Sequence, residues 1–131
     1  QMVVKSFMKS WKDGEFEDIG FQQQHDIYNH VKNYIDENPL IIDSSRLREN
    51  PKKILSKLCS QIGIDEDERM YKWKPGIASY DGVWASHWYK SVIDSDSFTP
   101  ETKKDITLTD DEKRIVDMAM PIYEELLENS I

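Results

Sequence analysis

The fold of this chain is decided by residues 39–64, PLIIDSSRLRENPKKILSKLCSQIGI. The segment opens with a continuous apolar run, Leu40-Ile41-Ile42, which is typical of a strand buried on both faces of a parallel sheet. It continues with Asn50 and Pro51, a helix cap followed by the residue that best suits the first helical position. Gly63 then ends the pattern as a C-terminal cap. The order predicts a strand, a connector and a helix.

A single strand cannot form a sheet, so the apolar run needs neighbours. They come either from residues that precede Gln1 or from another chain. The remaining possibility is that the run is a buried extended segment among helices.

A second informative segment is the loop of residues 73–90, WKPGIASYDGVWASHWYK, which holds three of the four tryptophans. Neither helical nor strand periodicity explains their positions. The dipeptides Pro75-Gly76 and Asp81-Gly82 predict turns, and glycine lets a backbone approach a ligand closely. With the cation of Lys74, these features suit an anionic, partly planar ligand. The alternative is a long loop that its own aromatic side chains pin to a core.

In this order, the two segments resemble the second half of the sulfotransferase family, the enzymes that use 3′-phosphoadenosine 5′-phosphosulfate. In that family a late strand is followed by an acid, a leucine, a proline and an apolar helix that ends in glycine plus an aliphatic residue. The matching residues here are Asp43, Leu47, Pro51 and Gly63-Ile64. The later loop resembles the family's Lys-Gly and Gly-Asp-Trp signature, and most closely the bacterial-type branch in which Asp-Gly-Val-Trp-Ala precedes Trp-Tyr.

This resemblance implies an α/β fold with a P-loop-like parallel sheet in the complete protein. Within that fold, this chain is expected to be mostly α-helical with one or two short strands. Residues 1–131 are expected to be the C-terminal part of a single sulfotransferase-like domain whose N-terminal P-loop half is absent. None of the five glycines forms G-x-x-x-x-G-K-[ST] or G-x-G-x-x-G. The chain alone is therefore expected to be inactive, because nothing in it would hold the 5′-phosphosulfate.

The resemblance also implies roles for individual residues. The donor would be 3′-phosphoadenosine 5′-phosphosulfate, with no metal, and the residues expected to bind it are Ser6, Lys74, Gly76, Gly82 and Trp84. The residues expected to bind a small-molecule acceptor hydroxyl or amine are His87, Trp88 and Tyr89. No catalytic residue is assigned, since the family's base generally lies upstream. Better-known members carry Arg-Lys-Gly in the first loop, where this chain has Trp73-Lys74-Pro75-Gly76.

Composition limits the classes of partner. The 25 acidic and 17 basic residues give a net charge of −8, which argues against nonspecific binding to nucleic acid. One cysteine, Cys59, excludes an internal disulfide, and no apolar run is long enough to cross a membrane. We expect a cytoplasmic protein that binds neither nucleic acid nor membrane and whose partner is the missing half of the same protein.

Helical patterns cover most of the remaining sequence. One stripe, which is expected to face a core, comprises Val3, Phe7 and Trp11. A helix from about Phe21 to Asp36 places Ile27, Val31, Tyr34 and Ile35 on one face. The last helix opens with a capping box at Thr109 and is expected to bury Ile115, Met118, Ala119, Ile122, Tyr123 and Leu126. Asp65 is expected to cap a short helix that carries Met70.

Other motifs favour structural roles. Ser6 and Lys9 satisfy S-x-x-K, but the partner motifs of acylating enzymes are absent. The spacing of His25 and His30 does not suit a zinc site. A basic cluster is predicted to be a solvated helix face, and it comprises Arg46, Arg48, Lys52, Lys53 and Lys57.

Two alternatives to a sulfotransferase remain at this point. The first is a non-enzymatic helical interaction module that kept the second half of the fold and docks a partner through its apolar run and aromatic loop. The second, weaker alternative is another transferase or kinase of the P-loop class. A strand, a basic glycine- or serine-rich turn and an Arg-x-Pro element upstream of Gln1 would favour the enzyme.

Overall fold

The computed structural model describes residues 1–11, 13–85, 89–101 and 105–131, except for the side chain of Lys90. The chain divides into two compact units. The first unit comprises residues 1–41 and 103–130, and the second comprises residues 42–102 with Ile131.

The first unit is built from helices at both ends of the chain, α1 (Met2–Ser10), α2 (Phe16–Ile19), α3 (Phe21–Tyr34) and α7 (Asp110–Glu128). The shorter helices all pack against α7. Its core consists of Val4, Phe16, Ile115, Val116 and Ala119. Helix α7 therefore organises this unit.

The start of α7 is fixed by a capping box, as the sequence predicts. The Thr109 amide donates to Glu112 Oε2 at 2.7 Å, and the Glu112 amide donates to Thr109 Oγ1 at 3.3 Å. Glu112 is buried and also accepts a hydrogen bond from Lys5 Nζ on α1 at 3.0 Å. One carboxylate thus satisfies the helix end and joins α1 to α7.

The prediction for the buried face of α1 is wrong. Val4 is 1% exposed, whereas Val3 is 58% and Trp11 56% exposed. Met8, one turn after Val4, packs against the core, and Phe7 stacks on Trp11 with ring centroids 5.2 Å apart. The side of α1 that packs against α7 is therefore the one with Val4 and Met8. The side with Val3, Phe7 and Trp11 lies toward the surface.

The buried face of α3 also differs from the prediction. Tyr28 is the buried side chain, while Ile27, Tyr34 and Ile35 are exposed. His25, on the same side as Tyr28, contacts Glu125 of α7 through Nε2 at 2.9 Å. On α7 itself, Met118 and Tyr123 are more than two-fifths exposed, contrary to the prediction that both are buried.

The second unit contains α4 (Ser44–Glu49), α5 (Pro51–Ile62), a 3₁₀ turn (Glu68–Met70) and α6 (Lys90–Ile93). The predicted boundaries of α5 are confirmed. Asn50 Oδ1 accepts from the Lys53 amide at 3.2 Å, Pro51 is the first helical residue, and Gly63 ends the helix with φ 72°. These local signals do not depend on the rest of the chain.

The interior of the second unit contains Ile54 and Cys59 of α5. Cys59 lies with its Sγ 3.7 Å from Met70 Sδ, which ties α5 to the 3₁₀ turn. That turn is capped by Asp67, whose side chain accepts from the Arg69 amide, and not by Asp65 as predicted. Asp67 caps the turn because it immediately precedes the first residue of the turn, so its carboxylate reaches the free Arg69 amide.

The apolar run Leu40-Ile41-Ile42 is half-buried and lies in neither a helix nor a strand. Among the described residues there is no β-strand, only one antiparallel bridge between Lys72 and Ser97. The parallel sheet concerns the complete protein and stays a prediction. Within the described ranges, no helix is long and apolar enough to cross a membrane.

Candidate functional site

The glycine and tryptophan loop of the second unit is held at its base by backbone hydrogen bonds. The Trp73 amide donates to Asp96 O and the Gly76 amide to Ile93 O, both at 2.9 Å. The bridge between Lys72 and Ser97 continues the same pairing. The loop is therefore anchored to the last residue of α6 and to the segment that follows it.

The side chain of Trp73 strengthens this anchor. Its Nε1 donates to Ser95 Oγ at 3.1 Å, and Ser95 Oγ in turn donates to Val92 O at 2.7 Å. The Trp73 ring meets Phe98 edge-on, with centroids 5.3 Å apart and planes at 88°. Trp73 therefore supports the alternative in which the loop is held in place by its own aromatic side chains.

The tip of the loop is a hydrogen-bonded turn. The Ala78 amide donates to Asp81 Oδ2 at 2.7 Å, and the Asp81 amide donates to Ala78 O at 3.0 Å. Ala85, 1% exposed, fixes the end of the turn by donating from its amide to Gly82 O at 2.9 Å. Asp81 therefore shapes the turn, and its carboxylate is already occupied.

Gly82 and Trp84 lie in direct contact. A Cβ added at Gly82 would collide with the six-membered ring of Trp84, so the absence of a side chain lets the indole fold over the backbone. Trp84 nevertheless keeps 56% of its surface exposed. One face of a flat ring is thus presented beside a glycine.

The outer surface of the loop combines a cation with apolar side chains. Lys74 is exposed, and no described residue forms an ion pair or hydrogen bond with its ammonium. Tyr80 is 89% exposed and Val83 95% exposed. The arrangement can attract an anion at Lys74 and stack or cover a planar group at Trp84.

The perturbed titratable groups of the second unit lie in another segment. Burial, followed by the hydrogen bond and charge of the neighbouring Glu66 carboxylate, raises the pKa of Tyr71 to about 12. The Tyr71 hydroxyl lowers the pKa of Glu66, with Ser56 and Lys52 adding to the effect. A hydrogen bond from Arg69 lowers the pKa of Asp67 to about 2. None of these shifts creates a base poised near neutral pH.

A family model described as a sulfotransferase domain matches residues 1–129. This chain belongs to the sulfotransferase domain family. Two curated relatives from Arabidopsis thaliana are similar to it. Branched-chain-amino-acid aminotransferase-like protein 1 is 35% identical over 85 residues, which is 65% of this chain and 15% of the relative. Branched-chain-amino-acid aminotransferase-like protein 2 is 28% identical over 121 residues, which is 92% of this chain and 21% of the relative.

The chain therefore spans about a fifth or less of the length of these curated relatives. No solved structure matches it. The family assignment rests on the match over residues 1–129 and confirms the predicted membership of the sulfotransferase family, whereas the donor and the bacterial-type branch stay predictions.

The predicted site residues of this sulfotransferase-family chain are divided between the units. Ser6 is exposed on α1 in the first unit, and its proposed role stays a prediction. The second unit contains Lys74, Gly76, Gly82, Trp84 and Tyr89. His87 and Trp88 lie outside the described residues. The contact that the structure does provide is the one between Gly82 and Trp84.

The predicted basic cluster of this sulfotransferase-family chain contains at least one structural arginine. Arg48 Nε donates to Thr99 O at 2.8 Å, and its Nη1 lies 3.4 Å from Glu101 Oε1. Ser45 Oγ also donates to Glu101, at 3.2 Å. Sequence analysis missed Glu101 because its partners lie more than fifty residues earlier. No group of residues suited to a metal ion occurs in the described part of the chain.

Proposed function

We propose that this chain contributes to sulfuryl transfer from 3′-phosphoadenosine 5′-phosphosulfate to an acceptor hydroxyl or amine. The observation that carries the proposal is the anchored loop, where the exposed Lys74 follows the fixed Trp73 and the Trp84 indole folds over Gly82. Membership of the sulfotransferase domain family supports the reaction class. The donor and the bacterial-type branch are inferences from the loop sequence.

In this proposal Lys74 binds the 3′-phosphate of the donor as a charge-assisted hydrogen-bond donor. Gly76 has φ 119° and carries no side chain, so its backbone leaves room for a phosphate beside the ammonium. Its own amide is occupied by Ile93 O, so the contribution of Gly76 is close approach and not that N–H. Trp84 then packs against the adenosine, with Gly82 providing the space for its ring.

The reaction is an in-line displacement at sulfur. The acceptor oxygen or nitrogen forms the new bond to sulfur while the bond from sulfur to the phosphate oxygen breaks, and the nucleotide leaves with the electron pair. The acceptor's proton passes to a base, which we place in the remainder of the protein because the resemblance to sulfotransferases places the base upstream of this chain. Positioning and cations that match the developing charge supply the rate enhancement.

The remaining assignments follow from this proposal. Tyr89, 47% exposed, is proposed to contact the acceptor together with His87 and Trp88. An N-terminal P-loop half of the same protein would hold the 5′-phosphosulfate and supply the strands that flank Leu40-Ile41-Ile42. We also propose a cytoplasmic location and no binding to nucleic acid, and the net charge of −8 supports the second of these.

The test compares two nucleotides and two lysines in the full-length protein. Lys74→Ala should weaken binding of adenosine 3′,5′-bisphosphate by about tenfold to a hundredfold, because a charge-assisted bond is worth roughly 1.5–3 kcal/mol. Binding of adenosine 5′-phosphate, which lacks the 3′-phosphate, should hardly change. Isothermal titration calorimetry measures both affinities.

Lys72→Ala is the matched control, since Lys72 is an exposed lysine two positions away. It should leave both affinities close to those of the unchanged protein. Equal losses for both nucleotides on Lys74→Ala would reject the phosphate assignment. Trp84→Ala should weaken both nucleotides alike if the indole packs on adenosine.

The interaction-module alternative is favoured by one observation, the nearly complete exposure of Tyr80 and Val83 at the loop tip. A module would bind neither nucleotide and would need no upstream P-loop. Absence of measurable nucleotide binding by the full-length protein would therefore favour the module over the enzyme.

A further inference from the structure

Ser95 is linked by a hydrogen bond to Trp73, the residue that precedes Lys74. We propose that Ser95 is a positioning residue for the sulfate donor. Its hydroxyl fixes the Trp73 indole, and Trp73 in turn holds the backbone from which the Lys74 ammonium reaches the 3′-phosphate. Ser95 contacts no atom of the donor in this role, which rests on the proposed function because it concerns the same site.

The Ser95 hydroxyl forms two hydrogen bonds that are compatible with each other. It accepts from Trp73 Nε1 at 3.1 Å and donates to Val92 O at 2.7 Å. A hydroxyl has one proton and two lone pairs, whereas an indole N–H can only donate, so these are the roles that the two partners require. Ser95 is therefore a bridge between α6 and the indole, and alanine at this position would remove both bonds.

The end of α6 supplies the acceptors for this bridge. Val92 and Ile93 are the last two residues of the helix, and the carbonyls of a last helical turn have no partner within the helix. Ser95 Oγ donates to Val92 O, and the Gly76 amide donates to Ile93 O at 2.9 Å. The loop is thus tied to the end of α6 on both sides of Lys74, by the preceding indole through Ser95 and by Gly76 directly.

Two further contacts of Trp73 restrict its movement. Its amide donates to Asp96 O at 2.9 Å, and its ring meets Phe98 edge-on with centroids 5.3 Å apart. The main-chain bond fixes where the residue lies, and the bond to Ser95 fixes how the indole is turned. The Trp73 side chain is at the surface, with the residue 36% exposed, so water can satisfy its N–H when the Ser95 hydroxyl is absent. Loss of that hydroxyl should therefore loosen Trp73 without unfolding the second unit.

A fixed neighbour matters for Lys74 because its ammonium is exposed and forms no ion pair or hydrogen bond with a described residue. A long side chain loses conformational freedom when it binds a ligand, and a mobile backbone beneath it adds to that entropic cost. An anchor that holds residues 73–76 before the donor arrives removes the second part of the cost. The effect of Ser95 should therefore be confined to the 3′-phosphate, which is the group that Lys74 binds.

The test measures nucleotide selectivity in the full-length protein by isothermal titration calorimetry. Ser95→Ala should weaken binding of adenosine 3′,5′-bisphosphate by about twofold to tenfold, which corresponds to ordering one more side chain on binding. Binding of adenosine 5′-phosphate should not change. A merely structural role would lower the melting temperature measured by circular dichroism but would leave the ratio of the two affinities as it is. The ratio is therefore the decisive readout.

Four further variants identify the bond and its route. Ser95→Thr keeps the hydroxyl and should keep the ratio, whereas Trp73→Phe removes Nε1 but keeps an aromatic ring beside Phe98 and should lower the ratio as Ser95→Ala does. The double variant of Trp73→Phe and Ser95→Ala should lose no more than either single one, because both remove the same bond. On a Lys74→Ala background, Ser95→Ala should have no further effect. Ser91→Ala, at an exposed serine on α6, is the matched control and should not change the ratio.

The outcomes separate this role from the proposed function. Equal effects of Lys74→Ala on both nucleotides would reject the phosphate assignment and the role of Ser95 with it. A selective loss in Lys74→Ala together with an unchanged ratio in Ser95→Ala would reject the role of Ser95 alone. A selective loss in Ser95→Ala that persists on the Lys74→Ala background, or that Ser95→Thr shares, would also reject it, because the effect would then not pass from the hydroxyl to Lys74.

Discussion

Replacing Ile115 with alanine tests which face of α7 is buried. Ile115 is 1% exposed in the core of the first unit, between α7 and the shorter helices. The change removes Cγ1, Cγ2 and Cδ1, and at about 0.8 kcal/mol for each methylene-sized group the transfer cost is about 2.4 kcal/mol. A partly retained cavity raises the expected loss in free energy of unfolding to about 3–4 kcal/mol. Urea denaturation of the 131-residue chain, followed by circular dichroism, measures it.

Met118→Ala is the matched control on the same helix. Sequence periodicity places Met118 in the core, but its 43% exposure predicts a change of no more than about 0.5 kcal/mol. A loss for Met118→Ala as large as that for Ile115→Ala would refute the structure's register of α7. Equal and small losses for both would show that the first unit has no packed core.

Two further predictions concern pH and backbone strain. The hydrogen bond from the Thr109 amide, followed by Lys5, lowers the pKa of Glu112 below 4.5, so its stabilising effect is present above that pH and is lost as the pH falls below it. Glu112→Gln should therefore flatten the acid side of a profile of melting temperature against pH, whereas Glu124→Gln should leave that profile unchanged. A steep acid side in Glu112→Gln would show that the loss of stability at low pH does not come from Glu112. Gly76→Ala should destabilise the second unit by about 1–3 kcal/mol, since φ 119° strains a residue with a Cβ. Gly82→Ala, at a negative φ, should mainly change the fluorescence of Trp84, and equal stability losses for both glycines would argue against strain at Gly76.

The sequence predicts α5 and the start of α7 well because their signals are local. Asn50, Pro51 and Gly63 act within one or two turns, and the capping box at Thr109 spans only three positions. Their effect is nearly independent of what the helix packs against.

The faces of α1 and α3 could not be predicted in the same way. In α1, two apolar stripes lie side by side, one through Val3 and Phe7 and the other through Val4 and Met8. They differ by a single residue, about 100° around the helix, and only the packing against α7 selects between them. The candidate loop has the same limitation, because no periodic signal reveals that Trp73 pairs with Asp96.

The division of the chain has a consequence for the order in which it folds during synthesis. Residues 1–41 leave the ribosome before residues 42–131, yet the helix they pack against begins only at Asp110. At a synthesis rate of about 5–20 residues per second, several seconds pass between the synthesis of α3 and that of α7. Residues 42–102 are synthesised in that interval and can fold before α7 is available. During that interval the apolar side chains of Val4 and Phe16 lack their partners on α7, so the nascent first unit exposes part of its core to water.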